Sequence, residues 1–435
     1  MEKLRVGFIV TSGKYNYKPF RNQPLNVLYL LTILEEKFGD RVKLSLIDLR
    51  GVEEESVSFH IQENDVFMYT ITTLDYKETA YIVKSLRSLY PDAKHIAGGP
   101  HVTIFPMESS EVFDTVVIGE GEESIIKIID DICALDLKPY YRQNKVVDIN
   151  NYPVANRKYI PKKAVADTRL LNKEYLGLLG TSVLFSRGCP YNCHFCSNLN
   201  FGPVRFRSAK LIEEEIEYLK KVYKIEAIAL KDDNSIPIGR KHAQPFLEAI
   251  GRTCVKWRGQ SRANGVDKDM VKLAKEAGCV ELAVGVESVS PEALKIINKK
   301  LNLDESKSYL RLLRESGIDV RIHFILGLPG EPDDIVRRTL EFINEVEPNS
   351  VLLTLLCPLP GTEIYNNPEQ YGIKYISKDW DKYILVFGRF SDNEIPELVF
   401  EYKDITPWGS GMSKEKIVAN YMELQSILRE RKLNF

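Results

Sequence analysis

The chain has 435 residues, 44% hydrophobic and 28% charged, the balance of a globular protein too long for one ordinary core; two or three domains are expected. Its net charge of −2 supplies no general pull toward nucleic acid or an anionic membrane. The apolar run 6–10 is too short for a signal-peptide core, and no later stretch approaches the ~18 apolar residues of a spanning helix, so a cytoplasmic location is expected.

In chain order, residues 4–10 and 42–48 read as buried strands, with Leu25, Leu28, Leu31, Leu34 and Phe38 on one helical face between them. Strands follow at 65–70, 94–97 and 115–118, with one helix across 76–90 and another after Glu122. Alternation of this kind predicts a doubly wound parallel sheet over 1–135. From 136 to 180 the pattern fades into a polar, Lys-rich stretch with Pro139, Pro153 and Pro161, which reads as a linker.

A second series runs from Thr181, with strands at 182–186, 227–230, 255–258, 280–284, 319–326 and 351–356. Asp267 is placed to cap a helix ending at Gly278, Ser290 precedes Pro291, and Asp304 opens a helix closing at Gly317. Six strand–helix units predict a partial (β/α)6 barrel over 181–365. A C-terminal extension, 366–435, shows one amphipathic helix over 414–432.

The strongest local signal is Ser186-Arg187-Gly188-Cys189-Pro190-Tyr191-Asn192-Cys193-His194-Phe195-Cys196-Ser197. Seven cysteines, three of them within these few residues, point to metal ligation in a reducing compartment rather than to a disulfide framework. Three thiolates on one loop suit zinc, copper(I) or an iron–sulfur cluster. A structural zinc site needs a fourth ligand, for which His194 is the neighbouring candidate. A 4Fe–4S cluster held by Cys189, Cys193 and Cys196 alone leaves one iron open.

The Cys-x3-Cys-x2-Cys spacing, with Phe195 before the third cysteine at the end of a first barrel strand, resembles that of the radical S-adenosylmethionine (radical SAM) superfamily. The resemblance implies a 4Fe–4S cluster on the three cysteines and S-adenosylmethionine on the fourth iron, with Phe195 near the adenine. It also implies reductive cleavage of the sulfonium to a 5′-deoxyadenosyl radical, and a reductant such as a flavodoxin or ferredoxin. Further segments agree in order along the barrel: Lys231-Asp232-Asp233, Gln260-Ser261-Arg262, Gly285-Val286-Glu287-Ser288, the stretch 324–331 ending Gly327-Leu328-Pro329-Gly330-Glu331, and Pro358-Leu359-Pro360-Gly361-Thr362. By that resemblance Phe195, Asp233, Ser261, Arg262, Glu287, Ser288, Gly327 and Pro360 are the expected S-adenosylmethionine contacts. Adjacent Asp232 and Asp233 cannot both point inward from an extended end. Cys357, at the end of the sixth strand, reads as a buried small hydrophobe or as a hydrogen-atom donor.

In the first domain the expected carboxyl ends of the strands carry Thr72, then Gly98-Gly99-Pro100-His101, then Gly119-Glu120-Gly121-Glu122. Sheets of this type receive ligands at those ends, and no G-x-G-x-x-G follows the first strand to suggest a dinucleotide. Residues 98–123, with Asn151-Tyr152-Pro153-Val154-Ala155-Asn156-Arg157, resemble the cobalamin-binding domain that precedes the barrel in one radical SAM class. That likeness implies cobalamin contacts from Thr72, Gly98, Gly99, His101, Gly119 and Glu120. Asp-x-His-x-x-Gly, which supplies an axial histidine in other cobalamin proteins, is absent from the sequence.

These likenesses imply cobalamin-dependent methylation of an unactivated carbon in a small-molecule or peptide substrate. Rearrangement, cyclisation or oxidation on the same architecture is the alternative. Methylthiotransferase chemistry would need a second cysteine-held cluster, and the first domain has only Cys133. A noncatalytic iron–sulfur or zinc protein would have no use for the later barrel segments. Trp380, Tyr383, Phe387 and Trp408 of the extension read equally as substrate contacts or as packing that closes the barrel's open side.

Overall fold

A computed structural model describes the chain except residues 1, 14–19, 21, 53–59, 144, 172, 198, 200, 201, 264–266, 388–394 and 435, and describes only the backbone at 173 and 384–387. The chain divides into two compact units, Met1–Val165 and Ala166–Phe435.

In the first unit six parallel strands form one sheet: β1 (Leu4–Val10), β2 (Val42–Asp48), β3 (Val66–Thr70), β4 (Lys94–Gly98), β5 (Thr115–Ile118) and β6 (Tyr140–Arg142), in the order β2-β1-β3-β4-β5-β6. Apolar residues at helical spacing build α1 (Leu25–Phe38), which ends at Gly39 with φ 51°. Leu31 and Leu34 of α1 share a core with Val6 and Phe8 of β1 and with Ile125, Ile128 and Ile129 of α3 (Glu122–Cys133). Phe67 and Tyr69 alternate with Val66 and Met68 of that core, and their rings meet Tyr90, His95 and Phe113. The strand order reverses between β1 and β3, where doubly wound sheets open a ligand crevice. Asp75, just before α2 (Tyr76–Leu89), holds the β1 end by accepting from the Thr11 hydroxyl at 2.6 Å, and Glu78 accepts from Ser12 N at 2.7 Å.

The stretch read as linker carries structure. β6 pairs with β5 (Val116↔Tyr140) and becomes the sixth strand of the first sheet, too short to show a period in sequence. Arg157 is fully buried, donating to the Ala155 carbonyl at 2.7 Å, and the unit boundary falls within this stretch.

The second unit is an open six-stranded parallel sheet whose neighbours follow chain order: β7 (Gly180–Val183), β10 (Ala227–Leu230), β11 (Lys256–Arg262), β12 (Cys279–Glu287), β13 (Asp319–Leu326) and β14 (Ser350–Leu355). The helices α4 (Ala209–Tyr223), α5 (Arg240–Arg252), α6 (Lys268–Glu276), α7 (Pro291–Ile296), α8 (Leu303–Glu315), α9 (Ile335–Val346) and α10 (Lys414–Glu430) accompany it. Ile228, Trp257, Val284, Ile322 and Leu353 point from successive strands into one core shared with these helices. The caps at Asp267 and Ser290 form as expected, accepting from Met270 N and Ala293 N. α8 differs: Asn302 caps it, its side chain accepting from the amides of Asp304 and Glu305, so Asp304 lies in the first turn.

The first barrel strand is shorter than expected. β7 stops at Val183, and the next short strand, β8 (Ser186–Arg187), pairs antiparallel with β9 (Arg205–Phe206). Trp257 is fully buried and its Nε1 donates to the Ala277 carbonyl at 3.0 Å. Trp257→Ala should therefore lower the unfolding free energy of the second unit by about 3–5 kcal/mol, read from the urea midpoint; a loss under about 1 kcal/mol would mean the site collapses freely.

Candidate functional site

The cysteine loop is bracketed by a hairpin. Ser186 pairs with Phe206 and Arg187 with Arg205, so the chain enters and leaves the cysteine loop at one place. Asp232, fully buried at the end of β10, secures the base: the Ser186 hydroxyl and Phe185 N donate to its carboxylate, at 2.5 Å and 3.3 Å. Burial pushes the Asp232 carboxyl up to about 7, against the hydrogen bonds that lower it. Asp233, beside it, is exposed and acts electrostatically on Cys189. The two side chains part here in a bend beyond the end of β10, not in an extended strand.

None of the three loop cysteines is in a disulfide; Cys189 and Cys193 are half-buried and Cys196 is exposed. Among the described residues no three His, Cys, Asp or Glu side chains stand together as a preformed metal cage. Their surroundings suit an anionic thiolate centre. Arg262 Nη1 donates to Cys193 Sγ at 3.3 Å, its guanidinium lies 3.8 Å over the Tyr191 ring, and its Nε is buried with no partner among the described residues. Burial raises the Cys189 thiol, and Arg262 opposes that shift. The donor set therefore fits a cluster held by three thiolates beside a cation. His194 Nδ1 meets the Ile296 carbonyl at 3.1 Å and the Tyr371 hydroxyl at 2.7 Å, which fixes the ring orientation.

β12 ends in an unusual turn. The ladder to β13 shifts between Gly285 and Glu287, and Glu287 has φ 71°, folding its side chain back over Gly285. A Cβ on Gly285 would lie 2.3 Å from Glu287 Oε1 and 3.1 Å from Lys299 Nζ. Lys299 and Glu287 pair at 2.7 Å with both side chains nearly buried, and Lys299 Nζ lies 5.8 Å from the centre of the Phe195 ring. Sequence reasoning missed Lys299, since Asn298-Lys299-Lys300 reads as a solvated run. The positive φ angles at Asn298 (52°) and Lys300 (47°) turn it inward.

Other expected contacts divide. Ser261 is turned away from Arg262, toward the helix layer, with its hydroxyl 3.0 Å from that of Tyr309 in α8; strand alternation removes it from the barrel interior. Ser288 donates to Glu331 Oε1 at 2.8 Å, while Glu331 Oε2 accepts from Gly327 N and Leu328 N at 2.9 Å and 3.3 Å. Gly327 (φ 83°) has no room for a side chain, because a Cβ would lie 2.9 Å from Ile417 of α10. Pro360 is buried in its turn. Cys357 is buried, which raises its thiol, the state of a packing residue. Trp380 and Tyr383 are buried and pack edge-on at 5.3 Å, and Trp408 packs on the main core; the Phe387 side chain lies outside the described residues.

In the first unit, Thr72, Gly98, Gly99, Gly119 and Glu120 do follow the carboxyl ends of β3, β4 and β5. Gly99 (φ 101°) lies against the Ile71 backbone, where a Cβ would come within 2.8 Å of both its N and O. Gly119 (φ 90°) is open, its nearest potential neighbour being the Gln143 carbonyl at 3.6 Å, and its N–H donates to the Thr103 hydroxyl at 3.1 Å. Thr72 is exposed and Glu120 accepts from Val147 N. The glycines leave the backbone bare at these strand ends, as a large ligand lying over them requires, while the Thr72 hydroxyl donates to Asp75. His101 is the exception: it is fully buried, 4.2 Å from the Tyr76 ring, with Nδ1 3.3 Å from the Thr73 hydroxyl. Its imidazole packs inside the unit, where burial lowers it to about 4, because the helix Pro100–Ile104 turns it inward.

Two parallel α/β units, the second with a three-cysteine loop at the carboxyl end of its first strand, define a two-unit α/β protein with a thiolate metal-binding loop. Family models agree in both places: the radical SAM superfamily over residues 183–343 and the B12-binding domain over 19–129. The chain belongs to the radical SAM superfamily, in the class that also carries a B12-binding domain, and its cofactors are a 4Fe–4S cluster, S-adenosylmethionine and cobalamin. It is 26% identical over 407 residues to an uncharacterized methyltransferase of Pyrococcus horikoshii, covering 86% of each chain. It is 27% identical over 303 residues to the anaerobic magnesium-protoporphyrin IX monomethyl ester cyclase of Cereibacter sphaeroides, covering 65% of this chain and 50% of that one. The structure of the radical S-adenosylmethionine methyltransferase TsrM from Kitasatospora setae shares the fold, with TM-score 0.69 and 18% identity over 97% of this chain and 91% of that one. No helix among the described residues is long and apolar enough to cross a membrane.

Cys189→Ala, Cys193→Ala or Cys196→Ala should each abolish the cluster's visible absorbance after anaerobic reconstitution, whereas Cys254→Ala, at an exposed site off the loop, should retain it. Retention in any of the three loop variants contradicts the ligand set. A second expectation concerns pH. Burial raises Glu331 to about 8 and Asp232 to about 7, above ordinary values of 4.5 and 3.8, so the unfolded chain releases these protons first. Their linked stabilisation is present at acid pH and is lost as pH rises through about 7 to 8. Glu331→Gln should flatten the decline in the second unit's urea midpoint between about pH 5 and 8; an unchanged slope contradicts the assignment.

Proposed function

We propose that this enzyme methylates an unactivated carbon of a small molecule or peptide. The observation that carries the reading is the P. horikoshii methyltransferase, matched over 86% of both chains. When bound, the cluster and S-adenosylmethionine supply a 5′-deoxyadenosyl radical, and cobalamin supplies the transferable methyl group. The chain's own part is positional. Cys189, Cys193 and Cys196 would hold the cluster, and Arg262, on Cys193 and over Tyr191, balances the sulfur charge. Lys299 and Glu287 place opposite charges next to Phe195, suited to the carboxylate and the hydroxyl or amino groups of the cofactor. Thr72, Gly98, Gly99, Gly119 and Glu120 would line the cobalamin rim, with no imidazole supplied by His101. A small electron-transfer protein of the flavodoxin or ferredoxin class would supply electrons.

The Cereibacter cyclase supports a second reading, hydrogen abstraction followed by oxidation or ring closure. The two differ in by-products. Cluster-loaded protein under reductant, with and without cobalamin, should release 5′-deoxyadenosine and also form S-adenosylhomocysteine only when cobalamin is present. Deoxyadenosine without cobalamin-dependent S-adenosylhomocysteine would overturn methyl transfer in favour of the second reading. No deoxyadenosine from fully loaded protein would overturn both.

A further inference from the structure

β11 is a central strand of the second sheet, so each of its side chains faces either the helix layer or the barrel interior. Trp257 lies in the core shared with the helices, a Cβ on Gly259 would fall 2.2 Å from Ser235 Oγ, and Ser261 meets Tyr309 of α8. Arg258, Gln260 and Arg262 therefore face inward. Arg258 and Arg262 are buried, yet Gln260 between them is exposed. An exposed side chain between two buried neighbours on an inward face means that the interior is open at that level.

The registers explain the opening. Gln260 is level with Ala283 of β12, and one row deeper Arg258 is level with Ala229 of β10. Two alanines beside the row leave the space that makes Gln260 accessible. Charges at this depth are matched: Glu281 pairs with Arg321 at 2.6 Å and lies 3.9 Å from Arg258, while Asp319 stands in register beside Glu281. Two cations against two anions on β11, β12 and β13 set up no net pull on a charged ligand. The backbone N–H of Gln260 donates to Ser235 Oγ at 2.9 Å, but its side chain makes no hydrogen bond to the described residues. Ligand pockets are walled mostly by apolar groups, with a few polar ones that set specificity, and Gln260 stands in that position between its alanines.

The carboxamide decides what fits. It offers an acceptor oxygen and an NH2 donor in one plane. Another amide answers both with two hydrogen bonds. A hydroxyl answers one at a time, and a carboxylate answers the donor while its charge opposes the oxygen. Gln260 also lies two residues, roughly 7 Å, deeper along β11 than Arg262, which touches the cysteine loop. A ligand group held there is set apart from the cluster side of the barrel by about that length.

We propose that Gln260 is a substrate-binding residue that pairs with a neutral amide of the substrate, a peptide bond, lactam or primary carboxamide. The inference deepens the methylation reading and rests on it only in that the substrate enters this barrel.

The test uses full-length, cluster-reconstituted protein with excess S-adenosylhomocysteine and three probes of one shape: para-fluorobenzamide, para-fluorobenzoate and para-fluorotoluene. Dissociation constants are read from fluorine NMR titrations, which need no turnover and so leave methyl transfer to be decided by its own assay. Wild type should bind the benzamide about tenfold more tightly than the other two, the gain of one net hydrogen bond. Gln260→Leu should lose that factor for the benzamide alone, and Gln260→Asn, which keeps the carboxamide on a shorter stem, should recover part of it. Gln260→Glu, of the same shape but without the donor, repeats the measurement if the leucine variant does not hold its cluster. Wild type that binds all three probes alike, or none of them, overturns the proposal whatever the variants do. So does a Gln260→Leu loss shared equally by the three probes, or a benzamide preference that the substitutions leave untouched.

Discussion

The catalytic unit depends on one buried carboxyl. Three cysteines can share a cluster only if their loop starts and ends in a fixed place, and Asp232 provides it. From the end of β10 it takes the Ser186 hydroxyl and the Phe185 amide, which stops β7 and turns the chain into the β8–β9 hairpin. Without a partner a fully buried carboxylate would be costly. Here its hydrogen bonds come from the segment that leads into Cys189, so the loop's foundation and the satisfaction of that carboxyl are the same interaction.

Charge on the inner face follows from that placement. Arg262 reaches the loop from β11, and Lys299 reaches Phe195 from the turn after α7. A buried ion pair such as Glu287–Lys299 contributes little net stability, because desolvation offsets most of the attraction. Its retention at a strained position, with Glu287 at φ 71°, points to binding rather than to folding. Deeper in the barrel, Arg321 pairs with Glu281 at 2.6 Å, a layer that packs the floor.

Much of this was legible in the sequence, for reasons that vary by element. The strand 227–230 announces itself as an unbroken apolar run, 4–10 as one interrupted only by Arg5 and 42–48 as a mostly alternating stretch, and helix starts at Asp267 and Ser290 carry their own acceptors. The cysteine loop was legible because its spacing is local. What was not legible depends on contacts distant in sequence. β6 has only three residues and is a strand because β5 offers an edge. Ser261 and Arg262 are adjacent, and only the strand's orientation decides that Arg262 faces the cysteines. His101 resembles a ligand contact in a Gly-Gly-Pro-His segment, yet the turn made possible by Gly99 buries it against Tyr76. Lys299 had no motif at all, and its significance lies in the Glu287 carboxylate and the Phe195 ring beside it.

The central claim is that the three-cysteine centre keeps one iron free of protein ligands. Electron paramagnetic resonance of the reduced, reconstituted enzyme tests it most directly, recorded with and without S-adenosylmethionine. The account predicts that adding S-adenosylmethionine changes the g-values of the cluster signal, because the cofactor binds the open iron. Identical spectra at saturating S-adenosylmethionine would contradict it and would mean that the cluster is fully ligated by the chain.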